Sequence, residues 1–457
     1  MIDIDTQLGP SPETRTNIKE VLKAPETKEI FAFLLSQFLA FAIYASIRQL
    51  FPLYLMEIES SNLANFSSSS YIQSLTTMTV EEYSRTIEIA VLAKWGVIAS
   101  AYTFAGLIGR IPSGWLIEKF GRKITIFISF GLMIVSVGCL ALTENTAVLA
   151  FLFVILRLTN NSFGLASRSL LSDLKSKYKG LFNSLISSSG RLGTLVGSLS
   201  LGYVLNFFPG YVMLLCGLIL SIIGLGAFQL IYMKGEAEAR HFIRRVDIKQ
   251  GKKEKLDYKI FKSKTFIFFT LSFIIFGLIA GITDPILSIY GAKLELSESN
   301  IGLILGLSQL SFIILSPIIG WIISNKPNVI DRLLVISSII MILNYLLIYL
   351  MPDSVVVYTI ALFGKNMGQA LFFPVVFTIL TYELPKAHFS VIYSILTTGF
   401  FAGVTGTAYL STYLYGLQET LPWLFAFISS IGLTITILIY NFIKKTTKKD
   451  EDKALNE

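Results

Sequence analysis

Long apolar runs alternate with short polar islands along almost the whole chain, and this alternation predicts the secondary structure. A helix needs roughly 20 consecutive apolar residues to cross the hydrocarbon core of a bilayer. Twelve segments meet that length, and five of them contain no charged residue at all. The twelve predicted segments are 29–51, 91–117, 124–143, 147–171, 180–208, 211–233, 265–290, 301–323, 332–351, 355–382, 389–415 and 421–443. The pattern therefore predicts an all-α integral membrane protein with twelve transmembrane helices.

The two halves of the chain repeat one another. Four glycines of the first half recur in the second half, two of them after 206 positions and two after 209. The four pairs are Gly96 and Gly302, Gly114 and Gly320, Gly190 and Gly399, and Gly197 and Gly406. A membrane chain made of two similar halves is a known transporter architecture, with the substrate site between the halves. We therefore expect two pseudo-symmetric bundles of six helices.

Charged islands divide the chain into five regions. These are an N-terminal tail (1–28), a first bundle (29–233), a basic linker (234–264), a second bundle (265–443) and a C-terminal tail (444–457). Lys and Arg concentrate in the tails, the linker and alternate loops, which predicts that both termini lie on the cytoplasmic side of the cell membrane. The same bias accounts for the formal net charge of +8, so no nucleic-acid partner is expected.

The sequence indicates neither a metal centre nor an enzyme. Cys139 and Cys216 lie inside apolar segments, and His241 and His388 are far apart. The chain contains no paired metal-ligand spacing and no phosphate-binding glycine loop. We therefore expect no cofactor, and we expect any transport to draw its energy from a gradient.

One predicted external loop, Glu57–Ala90, is long and rich in Ser and Thr. It contains Asn65-Phe66-Ser67, which is a glycosylation acceptor sequence on the predicted outer side. Whether Asn65 is modified depends on the source of the protein and stays open.

The turn between the second and third segments carries the most specific motif of the chain. It resembles the signature of the major facilitator superfamily between helices 2 and 3, which is roughly G-x-L-x-D-R-x-G-R-R/K. The matching residues are Gly114, Leu116, Gly121, Arg122 and Lys123, while Glu118 replaces the usual Asp and Lys119 the usual Arg. This resemblance covers residues 29–443 and implies two six-helix bundles that work by alternating access.

The resemblance implies that this turn holds the two halves together at the cytoplasmic face. Glu118 is expected at the N-terminus of the eleventh helix, near His388, where the helix dipole favours a carboxylate. Arg122 is expected to pair with Asp173 at the end of the fourth segment. A generic positively charged turn is the alternative. His388 is either part of a pH-sensitive contact or a polar interfacial residue.

Glycines shape the same motif. Gly121 is able to take a positive φ in a tight turn, and Gly114 allows two helices to approach closely. In the second copy, Ser324-Asn325-Lys326-Pro327 replaces the acidic part of the motif. We therefore expect a weaker latch, or none, at that position.

Three ionisable residues lie deep in predicted helices, where charges are costly and mark substrate or ion paths. They are Arg157, Arg191 and Lys365, and the first and last are 208 positions apart in equivalent segments. The resemblance places segments 1, 4, 7 and 10 around a central cavity. No carboxylate is predicted at the same depth, so the substrate itself is expected to supply the negative charge.

Neighbouring polar residues complete the predicted site. The candidates for substrate binding beside the three cations are Asn160, Asn161, Asn366, Gln369, Gln37 and Tyr44. Asp284 and Glu88, near predicted helix ends, are the candidates for coupling to protons. Other roles stay open for the cations: proton transfer for Arg157, backbone hydrogen bonding for Arg191, and a buried neutral amine for Lys365.

These observations predict a secondary transporter that moves a small organic or inorganic anion, with protons as the default coupling ion. It is expected to act as a monomer in the lipid bilayer. One alternative is a proton-coupled exporter of drugs or metabolites, although Ser198 occupies the proline position of the antiporter signature. A second alternative is a membrane nutrient sensor that binds a ligand without moving it.

Overall fold

The computed structural model describes residues 26–67, 80–173, 179–232, 258–326, 329–383 and 389–456. Within these ranges all regular structure is helical. Each predicted segment corresponds to one helix: α1 Glu26–Ser67, α2 Val80–Phe120, α3 Arg122–Leu140, α4 Thr146–Asp173, α5 Lys179–Phe207, α6 Gly210–Tyr232, α7 Lys264–Lys293, α8 Glu298–Asn325, α9 Ile330–Leu350, α10 Val355–Glu383, α11 Phe389–Leu417 and α12 Leu421–Asn456. The expected all-α architecture is confirmed.

Ten of the described helices are long and apolar enough to cross a membrane. The apolar part of α3, Ile124–Leu140, is shorter. The one remaining helix among the twelve, α5, is less apolar because serines and glycines interrupt it. Large apolar side chains such as Phe151, Ile219 and Leu343 point outward and are more than half exposed, which suits a surface in contact with lipid.

The helices pack in two groups with the same internal arrangement. In the first group α1 packs against α5 and α6, α2 against α4, and α3 against α4 and α6. All five pairs recur in α7–α12 when six is added to each helix number. Between the groups, α2 packs against α11 and α5 against α8, which are again equivalent pairs. This symmetry confirms the two related bundles, here called the N-terminal half (α1–α6) and the C-terminal half (α7–α12).

The α5–α8 contact between the halves depends on two glycines. A Cβ atom added to Gly302 would lie 2.6 Å from the carbonyl oxygen of Ser198 and 2.9 Å from the Cα of Gly202. Only residues without side chains permit this backbone contact, as in other tightly packed membrane helices.

A proline interrupts α7 beside the centre of the molecule. Regular helix runs over Lys264–Thr283, a 3₁₀ turn follows at Asp284–Ile286, and helix resumes over Leu287–Lys293. Pro285 has no N–H and crowds the preceding turn, which accounts for the change. Asp284 therefore sits at an internal break of the helix and not near its end.

The predicted loop Glu57–Ala90 is wrong at both of its ends. Residues up to Ser67 continue α1, residues from Val80 onward begin α2, and only 68–79 lie outside the described residues. The polar residues that suggested a loop are engaged between helices. Glu57 accepts hydrogen bonds from the backbone N–H of Gly210 at the start of α6 (Oε2 2.9 Å), and Glu59 forms an ion pair with Lys94.

Several predicted regions fall at the edge of the described residues. Asn65 lies in the last turn of α1, and α12 continues as helix through most of the predicted tail 444–457. The tail 1–28 is described only from residue 26, and the linker 234–264 only from residue 258, where Tyr258–Lys262 form a 3₁₀ turn. The domain boundaries stay predictions.

Candidate functional site

A cavity of about 310 Å³ lies between the two halves. Among the described residues it is lined by α1, α2, α4 and α5 of the N-terminal half and by α7, α8, α10 and α11 of the C-terminal half. Five basic residues and one acidic residue line it: Arg48, Arg110, Arg157, Arg191, Lys365 and Asp284. The formal charge of this lining is therefore +4. The three cations predicted from the sequence all face the same space.

Arg157, on α4, holds only neutral partners. Its Nη1 donates to the hydroxyl groups of Tyr44 (2.5 Å) and Tyr102 (2.8 Å), and its Nε has no hydrogen-bond partner. The guanidinium stacks between the rings of Tyr102 and Phe401, 4.8 and 4.3 Å from their centroids. A Cβ atom at Gly106 would lie 2.7 Å from Nε, so glycine makes room for this side chain. The arginine is 7 % exposed, and no carboxylate of the described residues forms an ion pair with it.

Arg191, on α5, also has only neutral hydrogen-bond partners in the described part of the chain. Its Nη1 donates to the amide oxygen of Gln309 at 3.0 Å, and its Nη2 donates to that of Gln369. The guanidinium lies 4.8 Å from the ring centroid of Phe312. All three partners belong to the C-terminal half, so Arg191 bridges the halves across the cavity. The proposed bonding to backbone carbonyls is not what these contacts show.

Lys365 is paired with a carboxylate, which corrects the prediction that none lies at its depth. Its Nζ is 2.5 Å from Oδ1 of Asp284 and 3.4 Å from Oγ1 of Thr283. The other oxygen of Asp284, Oδ2, accepts from Arg48 on α1 at 3.3 Å. Counting residues placed Asp284 near a helix end, but α7 continues beyond it and the break at Pro285 exposes it to the cavity.

Most of the other predicted polar residues lie at the cavity. Asn160, Asn366, Gln369, Gln37 and Tyr44 line the cavity. The amide groups of Asn366 and Gln37 donate to Ser308 Oγ (3.0 Å) and to the carbonyl of Phe163 (3.1 Å).

Two of the predicted residues lie away from the cavity. Asn161 is not part of the cavity lining, and its amide group donates to the carbonyl of Gly106 at 3.3 Å. Glu88 lies in α2 outside the cavity lining.

A group of aromatic rings that the sequence did not predict lies on the C-terminal side of the cavity and is called the aromatic wall here. Neighbouring ring centroids in it are 4.9 to 6.4 Å apart. The wall consists of Phe276, Phe373, Phe377, Tyr393 and Phe400, all of which line the cavity. Their helices are apolar on every side, so no periodicity in the sequence distinguished the rings that face the cavity from those that face lipid.

Arg110 was also missed. It lies on α2, its side chain is 8 % exposed, and its Nε donates to Thr397 Oγ1 on α11 at 3.0 Å. Its guanidinium lies over the rings of Tyr393 and Phe401, 5.9 and 5.3 Å from their centroids. A charge inside the apolar run 91–117 was the available signal, but its closeness to the charged turn concealed it.

The motif turn lies at one end of the molecule, called the motif end here. Oε1 of Glu118 accepts from the backbone N–H of Val391, in the first turn of α11, at 3.4 Å. Gly121 adopts φ 85°, a conformation that favours glycine. Arg122 donates to the hydroxyl and the carbonyl of Ser169 on α4, at 3.3 and 3.1 Å.

The rest of the motif contributes little that crosses between the halves. The ammonium of Lys119 lies over the rings of Trp115 and Phe120 on its own helix, 4.5 and 5.2 Å from their centroids. Gly114 is buried in α2. The side chains of Lys123 and Asp173, like residue 388, lie outside the described set, so the expected Arg122–Asp173 pair is not tested.

Contacts between the halves also lie on the other side of the cavity. The indole Nε1 of Trp95 on α2 donates to the carbonyl of Pro285 on α7 at 2.9 Å. The Arg48–Asp284 pair joins α1 to α7 in the same region. Contacts between the halves on both sides of one central cavity are the arrangement that alternating access requires.

The fold and the site define a class: a membrane protein with two related helical bundles around one charged central cavity. The model of the Major Facilitator Superfamily matches residues 74–366, which is more than half of the chain. The chain belongs to the major facilitator superfamily. It is therefore a multi-pass membrane transporter of a small-molecule solute and not an enzyme.

A solved structure of the same fold supports this assignment. The human organic anion transporter MFSD10 (TETRAN) aligns with a TM-score of 0.66 over 91 % of this chain and 99 % of that one. Sequence identity is 14 %, so the likeness concerns the fold. No curated protein sequence matches the chain.

Proposed function

We propose that this protein is a secondary transporter of a small organic anion, which it moves by alternating access. The observation that carries the proposal is the pair of Arg157, which is buried, and Arg191, which is partly buried: both face the cavity, and among the described residues both have only neutral hydrogen-bond partners. Taking an ion out of water without a counter-charge is costly, and an anionic substrate removes that cost. Guanidinium groups also bind carboxylates through two parallel hydrogen bonds.

The remaining lining charges strengthen the same reading. Lys365 and Asp284 neutralise one another, whereas the N-terminal half contributes four arginines and no acid. A positive cavity with weakly polar walls attracts anions and repels cations. The fold shared with a protein described as an organic anion transporter is consistent with this substrate class.

Opening of the cavity is proposed to exchange the two sets of contacts between the halves. At the motif end these are the Glu118–Val391 and Arg110–Thr397 hydrogen bonds. On the opposite side they are the Arg48–Asp284 pair and the Trp95–Pro285 hydrogen bond. The excess of Lys and Arg in the tails supports our proposal that the motif end is cytoplasmic and that the protein lies in the cell membrane.

The proposal is tested by thermal shift of the purified protein in detergent, followed by uptake into liposomes. A ligand that binds the folded state raises the Tm by mass action. Carboxylates are expected to raise the Tm of the wild type, and Arg157→Gln and Arg191→Gln are expected to abolish the rise. Arg332→Gln, which removes an exposed arginine of α9, is the matched control. Stabilisation by lipophilic cations alone, or an anion response unaffected by both cavity variants, would contradict the proposal.

Asp284 supports a second candidate, a proton-coupled exporter of lipophilic metabolites. Such an exporter needs a carboxylate in the transport path, and Asp284 provides one beside the cavity. In liposomes with an imposed pH gradient, Asp284→Asn is expected to uncouple an exporter while leaving exchange intact. If Asp284→Asn leaves gradient-driven transport unchanged, the carboxylate has only an ion-pair role.

A further inference from the structure

The cavity presents two chemically different surfaces to whatever it binds. The N-terminal half supplies Arg157 and Arg191, neither of which forms an ion pair within the described part of the chain, while the C-terminal half supplies the aromatic wall and the Lys365–Asp284 ion pair. The geometry points to an amphipathic substrate: an anion with an aromatic body, held with its charged group on the N-terminal half and its ring on the aromatic wall. This inference rests on the proposed function and specifies its substrate class.

The wall is apolar surface that faces an internal space. Phe373, Phe377 and Phe400 are partly exposed although they lie far from the lipid-facing surface, because they line the cavity. Covering such surface with an apolar group is favourable by about 25 cal/mol per Å². Phosphate or acetate has no apolar body large enough to cover it. A ring stacked on the wall gains this burial and favourable aromatic geometry as well.

The wall is also ordered for stacking. The rings of Phe373 and Phe377 are nearly parallel, with an interplanar angle of 18° and centroids 5.5 Å apart. Phe276 meets Phe373 at 4.9 Å and carries the wall toward α11. These are the offset and tilted arrangements that aromatic groups prefer, and the aromatic ring of a substrate would extend the same series.

The size of the cavity sets the size of the substrate. A buried apolar cavity of about 150 Å³ accepts benzene. The volume of 310 Å³ therefore has room for about two fused or linked rings together with a carboxylate. A third arginine of the N-terminal half, Arg110, contacts the wall directly, because its guanidinium lies 5.9 Å from the Tyr393 ring centroid.

The test compares the affinity of four probes for the purified full-length protein: 2-naphthoate, its neutral isostere 2-naphthamide, acetate and inorganic phosphate. We expect 2-naphthoate to bind at least about tenfold more tightly than each of the others, since only it satisfies both surfaces. Equal affinity for 2-naphthoate and acetate, or tighter binding of phosphate, would overturn the inference while leaving the anion transporter intact. If none of the anions binds, the proposed function fails together with the inference.

Variants separate the two surfaces. Phe373→Leu and Phe377→Leu, tested singly, are expected to weaken 2-naphthoate binding about fivefold and to leave acetate binding unchanged, because leucine keeps an apolar side chain of somewhat smaller volume and loses the stacking. Phe151→Leu, at a lipid-facing ring of α4, is the matched control. Arg157→Gln is expected to weaken both anions alike. A loss of acetate and 2-naphthoate in equal proportion in both wall variants would contradict an aromatic subsite.

Discussion

The two halves share one helix arrangement yet bring opposite chemistry to the cavity. In the N-terminal half, α4 places Arg157 beside two phenol groups, and none of the described carboxylates pairs with it. In the C-terminal half, the equivalent helix α10 places Lys365 against Asp284, whose carboxylate neutralises it. Internal symmetry therefore conserves the positions of cations but not their partners. The partner decides whether a buried cation serves stability or remains available to a ligand.

The largest effect is expected from breaking the neutralised pair of the C-terminal half. Asp284→Asn leaves Lys365 and Arg48 without their counter-charge, which costs up to about 3 kcal/mol at this partly buried position and lowers the Tm in detergent by several degrees. Replacing both partners, Asp284→Asn with Lys365→Met, is expected to recover most of that loss. Arg157→Met should change the Tm much less, since its partners are neutral. An Asp284→Asn protein as stable as the wild type would remove the contrast between the halves.

Anion affinity is expected to depend more on Arg157 than on Lys365, which reverses the order expected for stability. Arg157→Gln removes charge-assisted hydrogen bonds to the ligand, which are worth about 1.5 to 3 kcal/mol, or roughly 10- to 100-fold in Kd. Lys365→Gln should weaken binding by less, because Asp284 already occupies the ammonium. Titration of the Tm rise with ligand concentration measures both. A Lys365→Gln effect as large as that of Arg157→Gln would show that the anion displaces Asp284.

The contact that joins the halves is expected to be moderately sensitive to one added methyl group. Gly302→Ala pushes a Cβ atom into the backbone of Gly202 and Ser198, and overpacking of this kind costs about 1 to 3 kcal/mol. Gly416→Ala on α11, where no atom lies within 4 Å of the added Cβ, is the control. Thermal unfolding compares them. Equal Tm values for the two variants would mean that α5 and α8 separate readily at this point.

The smallest effect is expected at the motif end. Glu118→Gln removes the negative charge at the N-terminus of α11, an exposed interaction worth less than about 1 kcal/mol. Lys119→Gln, at a side chain that lies over rings of its own helix, is the control and should leave the contact unchanged. The measurement is the reaction rate of a thiol reagent with a cysteine introduced on the cavity side of the turn, which increases when the two halves separate at the motif end. Greater accessibility in Lys119→Gln than in Glu118→Gln would contradict a latch at Glu118.

The fold was largely predictable because long apolar runs in the sequence identify membrane-spanning helices. Every predicted segment became a helix, since the bilayer forces a backbone to satisfy its hydrogen bonds internally. Helix ends were less predictable. The polar stretch after Glu57 suggested a loop, but the helix continues through it. Glu57 and Glu59 contact Gly210 and Lys94, respectively, on neighbouring helices.

Site residues could be predicted where their residue type is rare in membrane helices, and could not be predicted where it is common. An arginine in an apolar helix stands out, and Arg157, Arg191 and Lys365 all line the cavity. A phenylalanine in the same setting carries no such signal, so the aromatic wall was invisible. The position of Asp284 was misjudged because residue counting does not show that α7 breaks at a proline and continues.

The sequence by itself determined the membrane-spanning helices, the twofold repeat, the motif turn and the presence of buried cations, because each depends on residue type and spacing along one chain. Only the tertiary structure decided which of these cations pairs with a carboxylate and which has neutral hydrogen-bond partners. That outcome depends on contacts across 81 residues for Lys365 and Asp284 and across 113 for Arg157 and Tyr44. Packing of helices from distant parts of the chain sets such contacts, and no local pattern encodes them.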